Sequence, residues 1–381
     1  MLRRRPSTPL LILLALLLFL GPLGGTGWYY SEKVYNGALA VTSSKPSFDL
    51  EVVSAQNDRV TLRPAPAEHP SADWERDGTW GLVWEQGYGQ MGSIIEVIGQ
   101  QVTRNFRLMQ AEPSAGTRTR VDAGAWPENP QTAYGFSFTE VSTTSRLGSF
   151  PAWFLPGAKN TWMIFVHGKG SSRRESLRIL PVFVQAGYPT LVVTYRNDDG
   201  TPPSPESSYR FGQTEWEDLE GAVRYAEAQG ARSLVLVGYS MGGAIVTNFL
   251  YRSPLSQRVR GVILDAPALD FEGVINYAAR RQSLPEVVTW LGKTVSAWRF
   301  NIDWERWNLL HRAAELRVPI LLFHGAADDV VPIQTSDALA AARPDLVTYA
   351  QFEGARHTRS WNIDPGFYQQ RVKDFLDKLG P

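Results

Sequence analysis

The sequence predicts an α/β domain with a mostly parallel sheet and helices on both faces, preceded by a β-rich region and an N-terminal membrane segment. Three observations carry this. From about residue 134, short apolar runs alternate with segments of helical period. Most of those runs are unbroken rather than alternating, as burial on both faces of a sheet requires. The chain also begins with basic residues followed by an uncharged aliphatic stretch.

That first stretch defines residues 1–30. MLRRRPSTP leads into Leu10–Leu20, which continues through GPLGGTG to Trp28, Tyr29 and Tyr30. Arg3, Arg4 and Arg5 favour the cytoplasmic side and direct the rest of the chain outward. The aliphatic run has the length of a signal-peptide core. Extended to Gly27 it reaches about 18 residues, enough to span a bilayer. No Ala-x-Ala site is present after it, and Gly25-Thr26-Gly27 is a poorer one. A signal anchor is therefore expected ahead of a cleaved signal peptide, with the rest of the chain outside the cytoplasm or secreted.

Residues 31–133 read as mostly β, with apolar segments around Val60–Leu62, WGLVW (80–84) and SIIEVI (93–98) separated by turn formers. They carry no catalytic constellation, so a structural or substrate-shaping module is expected. Residues 134–381 form the α/β domain. FTEVSTTSRLGSFPAWFLP reads as a hairpin and WMIFV as a strand ending at HGKG (167–170). A helix is expected over 175–187, a strand over 190–195 and a helix over 215–230. Strand SLVLV leads into GYSMGG, followed by helix AIVTNFLYR and strand GVILD. A helical insert at about 269–316 then occupies the place of a cap. Strand PILLFHG, helix SDALAAARP, strand VTYAQF and a closing helix complete the order.

Composition narrows the function. Lys+Arg and Asp+Glu both number 38, so no net field attracts nucleic acid. There is no cysteine, which removes disulfides, thiolate metal sites and cysteine nucleophiles. Histidine occurs only at positions 69, 167, 311, 324 and 357, too sparsely for a His-rich metal cluster. Neither metal nor organic cofactor is expected.

The chemistry centres on Gly238-Tyr239-Ser240-Met241-Gly242. Between a buried strand and a helix, this spacing makes a sharp turn that presents Ser240 at the carboxyl edge of the sheet. The helix N-terminus behind it offers free N–H groups to negative charge on a substrate oxygen. A serine nucleophile needs a base, and the base needs an orienting carboxylate, in the chain order Ser, acid, His. His324 reads as a strand-end residue and His311 lies in a helical stretch, whereas His357 sits in a loop after the last strand. His357 is therefore the expected base. Asp328 and Asp329 both lie beyond the preceding strand, and Asp265 at the end of GVILD is a reserve acid.

HGKG (167–170), GYSMGG (238–243) and HGAADDVVP (324–332), in this order, resemble the motifs of α/β-hydrolase-fold serine hydrolases over roughly 134–381. The resemblance aligns Asp328 rather than Asp329 with the acid and implies a Ser240–Asp328–His357 triad. It also implies an oxyanion hole from the backbone N–H groups of Met241 and Lys169, with His167 structural. The expected activity is hydrolysis of a small-molecule acyl ester through an acyl-serine, with amides or peptides second. Acyl transfer by the same triad and a silent binding protein of this fold are the competing readings. The four tryptophans of the insert, Trp290, Trp298, Trp304 and Trp307, are expected mostly to pack it on the core. Tyr195, Arg196 and Asp198 in the long loop 195–216 are candidates for substrate contact.

Overall fold

A computed structural model of the chain describes residues 8–41, 47–56, 58–66, 68 and 70–380, with side chains from Gly21 onward. Helix α1 (Thr8–Val34) runs into a π-helical turn at Tyr35–Leu39. Arg3, Arg4, Arg5 and the side chains of Leu10–Leu20, on which the membrane expectation rests, lie outside the described residues. Among the described residues, no helix is long and apolar enough to cross a membrane.

The β-rich region is a closed barrel. Strands β1 (Leu50–Gln56), β2 (Arg59–Pro64), β3 (Trp80–Trp84), β4 (Gly87–Ile98), β5 (Gln101–Gln110) and β6 (Arg118–Asp122) pair antiparallel in the order β1-β2-β5-β4-β3-β6. Period-two alternation puts Leu50, Val52, Val60, Leu62, Leu82 and Trp84 inside. Closure leaves no free sheet edge within it. Arg104 is wholly buried there and satisfied by carbonyls: Nη1 donates to Trp74 O at 3.0 Å and Nη2 to Gly92 O at 2.8 Å.

After the short α2 (Pro130–Tyr134) comes the α/β body. Its first part comprises β7 (Thr139–Ser145), β8 (Gly148–Leu155), β9 (Thr161–Val166), α3 (Leu180–Gln185), β10 (Thr190–Val193) and α4 (Trp216–Ala228). Next come β11 (Ser233–Tyr239), α5 (Met241–Arg252), β12 (Val259–Asp265) and the insert helices α6 (Phe271–Arg281) and α7 (Glu286–Phe300). The last part holds β13 (Ile320–Gly325), α8 (Gln334–Ala342), β14 (Val347–Phe352), α9 (Ser360–Ile363) and α10 (Pro365–Leu379). The eight strands order as β14-β13-β12-β11-β9-β10-β8-β7, parallel from β14 to β10. Only the β7–β8 hairpin and its junction with β10 are antiparallel.

Adjacent residues of β11 show why its sequence is unbroken: Leu234 and Leu236 enter the core on one face, Val235 and Val237 the core on the other. The helix expected over 175–187 is divided into a 3-10 turn, Arg173–Arg178, and α3. Pro181 lacks an N–H for a continuous helical ladder but suits the first turn of a new helix. In the insert, Trp307 is buried against Phe271, but Trp290 and Trp298 are 59% and 77% exposed and do not pack it on the core.

The barrel docks on the segment between β14 and α10. Asn362, fully buried, donates from Nδ2 to Thr79 O and Ala123 O, both at 2.9 Å. Its own carbonyl accepts from Thr79 N at 2.7 Å, and its Oδ1 from Arg178 Nη1 at 3.1 Å. Asn362→Ala leaves two part-buried carbonyls and the buried Arg178 guanidinium each short of one partner. It is expected to lower unfolding stability by about 3 kcal/mol, read as a reduced urea midpoint.

Candidate active site

The turn between β11 and α5 forces Ser240 to φ 51° and ψ −117°, a backbone conformation that L-residues rarely adopt. Neighbouring packing enforces it. A Cβ on Gly238 would lie 2.6 Å from Gly242 O, and one on Gly242 would lie 2.2 Å from Val166 O. Ser240 N donates to Asp265 O at 2.9 Å, while Ser240 O accepts from Gly243 N and Ala268 N, both at 3.0 Å. These contacts over-determine the turn and aim Oγ at the carboxyl end of the sheet.

His357, in the loop between β14 and α9, lies with Nε2 2.8 Å from Ser240 Oγ and Nδ1 2.8 Å from Asp328 Oδ2. Asp328 Oδ1 is occupied by Val330 N at 2.8 Å and Val331 N at 2.9 Å, which fixes the carboxylate and leaves Oδ2 facing the imidazole. Burial would raise its pKa, but His357 and His324 beside it prevail and hold the carboxyl well below its ordinary value. Asp328 is therefore ionised near neutrality. A neutral His357 then carries its proton on Nδ1, and Nε2 is the acceptor facing the serine hydroxyl.

The other candidates fall elsewhere. His324 is fully buried behind the acid, with Nδ1 2.7 Å from Ser336 Oγ and Nε2 3.2 Å from Asp328 Oδ2. Asp329 pairs with Arg356 rather than with His357. Asp265 is wholly buried, accepts from Ser360 Oγ at 3.2 Å, and makes no hydrogen bond to His357. His167 is buried against Tyr195, with Nε2 2.9 Å from Asp198 Oδ2. Burial opposes its charged form, yet Asp198 raises its pKa overall. Tyr195 and Arg196 are buried, the latter on Asp218 at 2.7 Å, so loop 195–216 is held by these residues rather than offering them to a ligand.

Among the described residues, the N–H groups of Met241 and Lys169 donate to no protein acceptor. The adjacent Gly168 N–H is consumed by Glu175 Oε2 at 2.8 Å, which excludes it as an oxyanion donor. Glu175 pairs at 3.0 Å with Arg178, whose Nη1 donates to Thr358 O at 2.6 Å. This buried pair joins the loop after β9 to the loop carrying His357. Sequence reading missed it; the available signal was a charge, Arg178, inside the apolar run LRILPVF. It also missed barrel residue Asp73, whose carboxylate lies 3.5 Å from Arg356 and 3.3 Å from Arg359, on either side of His357. No cluster that could hold a metal ion occurs among the described residues.

Burial raises the Asp265 carboxyl to about 6 from its ordinary 3.8. Between those values the folded state binds more protons than the unfolded state, so this group's contribution to stability falls as pH rises. Asp265→Asn removes that slope. The wild-type denaturation midpoint should decline relative to the variant's from pH 3.8 to about 6, and the two should run parallel above.

Residues 163–370 match the model of the Alpha/beta hydrolase family. The YfhR protein of Escherichia coli is 23% identical over 261 residues, covering 66% of this chain and 84% of that protein. The alpha/beta hydrolase domain-containing protein WAV2 of Arabidopsis thaliana is 23% identical over 246 residues, 60% of this chain and 75% of its own. In three dimensions the chain is similar to the Pyrococcus furiosus esterase Pf2001, with a TM-score of 0.53 at 19% identity, over 66% of this chain and 94% of that one. With more than half its length in the family model, and a solved structure of the same fold, the chain belongs to the alpha/beta hydrolase family.

Proposed function

We propose that the protein is a serine hydrolase that cleaves a carboxylic ester through an acyl-Ser240 intermediate. The observation that carries this reading is the continuous hydrogen-bonded line from Ser240 Oγ through His357 to Asp328, at 2.8 Å on each side of the imidazole. As Oγ attacks the ester carbonyl carbon, its proton passes to His357 Nε2. Asp328 stabilises the resulting imidazolium and keeps it oriented. Negative charge gathers on the carbonyl oxygen, where the N–H groups of Met241 and Lys169 are the proposed donors. Collapse breaks the ester C–O bond as Nε2 returns the proton to the leaving alcohol. Water, deprotonated by the same nitrogen, then releases the acid and restores Ser240.

Support for an ester comes from similarity to a protein named an esterase. Localisation outside the cytoplasm, held by residues 1–30, is part of the same proposal. It rests on Arg3–Arg5 ahead of Leu10–Leu20, and on the exposed aromatic side chains of Trp28 and Tyr29 just after it.

A fluorophosphonate probe should label the wild type at neutral pH, with the label mapping to Ser240 by peptide mass spectrometry. Ser240→Ala should abolish it; an unlabelled wild type would sink the proposal. On a soluble short-chain ester, His357→Ala should lower kcat by roughly 10⁴–10⁶-fold. Asp328→Asn should cost about 10⁴-fold, because the amide favours the wrong imidazole tautomer while leaving the packing in place.

A further inference from the structure

The N-terminal helix does not stand apart from the hydrolase body. Ser31 is fully buried, Glu32 pairs with Arg299 of α7 at 2.9 Å, and the Arg299 guanidinium lies 3.8 Å from the Trp28 ring centre. Gly292 of α7 lets the two helices approach closely: a Cβ there would lie 2.9 Å from Tyr30 Cβ. Beyond the helix, Leu39 is buried and its carbonyl accepts from Tyr209 N at 2.8 Å. These contacts fix one side of α1 against the insert and its following turn against loop 195–216.

Between them lies a cleft of about 290 Å³. Val34 and Ala38 from the N-terminal segment, Val274, Ile275 and Ala278 of α6, and Val330 line it. Its lining relates it to the proposed chemistry. Val330 N donates to Asp328 Oδ1, and Tyr277 of α6 donates to Asp328 O at 2.8 Å. Gly37 also lines the cleft, and its carbonyl accepts from Lys169 Nζ at 3.0 Å. Lining residues of the cleft thus bond both the proposed acid and the residue of the proposed oxyanion donor.

The lining also restricts what could occupy the cleft. Its charged lining residues are Lys33, whose Nζ lies 5.4 Å from the Tyr29 ring centre, and Asp329, which is paired with Arg356. Among the described residues, no lining residue has a buried polar side-chain atom lacking a partner, so no buried hydrogen-bonding group awaits a polar ligand. Selection in such a cleft rests mainly on apolar area.

We propose that this cleft takes a single aliphatic acyl chain of the ester, and that the N-terminal helix and its turn form a specificity-determining wall. The inference rests on the serine-hydrolase reading. Each methylene buried should raise kcat/KM by about four-fold until the cleft is filled, and the modest volume limits the chain to medium length.

The test uses the full-length protein and p-nitrophenyl esters from acetate through butyrate, octanoate and laurate to palmitate. In the wild type, kcat/KM should rise from acetate to a medium-chain optimum. Ala38→Trp and Ala278→Trp fill the cleft from the N-terminal segment and from α6, and near-UV circular dichroism checks that each variant is folded. Each should reduce the octanoate-to-acetate ratio of kcat/KM ten-fold or more and move the optimum to shorter chains. Wild type that takes the fluorophosphonate label and cleaves acetate, but has a flat chain-length profile, would overturn the acyl-chain assignment alone. Folded variants that keep the wild-type ratio would do the same. Wild type that takes no label and cleaves no ester would overturn the hydrolase reading and this inference with it.

Discussion

The arrangement at the carboxyl edge of the sheet depends on one steric constraint, the passage of α5 directly beneath the end of β9. Gly242 lies so close to the Val166 and His167 carbonyls that no side chain fits between them. That proximity keeps Ser240 in its unfavourable backbone conformation, at a cost of order 1–3 kcal/mol that the surrounding packing must offset. The same turn uses its backbone to bind the end of β12 and the loop that follows it, through Asp265 O and Ala268 N. The serine is therefore positioned by the sheet itself, with no reliance on a flexible loop.

His357 is positioned differently. Its loop leaves the sheet after β14, and three sets of contacts hold it. Asp328 binds the imidazole directly. The buried Glu175–Arg178 pair ties Thr358 O to the loop after β9. From the barrel, Asp73 faces Arg356 and Arg359, and Arg76 donates to Gly354 O at 2.5 Å. The buried Glu175–Arg178 pair contributes little net stability, because desolvation offsets attraction, but losing one partner strands a charge. The effect of all these contacts is geometric: they leave the loop of His357 few alternative positions, and those from Asp73 and Arg76 brace it against the barrel.

The insert and the N-terminal helix form the third part. Val287, Trp290 and Trp298 of α7 and Trp28 and Tyr29 of α1 remain exposed, although both helices pack on each other. Aromatic side chains left outside a well-packed helix pair are more than the core requires.

Much of the α/β body was legible in the sequence because its physics is local. Unbroken strands such as TWMIFV reveal burial on two faces, and the glycines around Ser240 reveal a turn with no room for side chains. The order of Ser240, Asp328 and His357 could likewise be read along the chain. Tertiary structure alone decided which groups meet. Asp328 and Asp329 are neighbours of one type, yet one faces an imidazole and the other a guanidinium, because Val330 N and Val331 N turn the first inward. Closure of six ordinary strands into a barrel, and Asp73 reaching across to the loop of His357, depend on contacts between residues far apart in the chain. No local pattern encodes such contacts, since a polar residue destined for a buried ion pair looks in sequence like any solvated one.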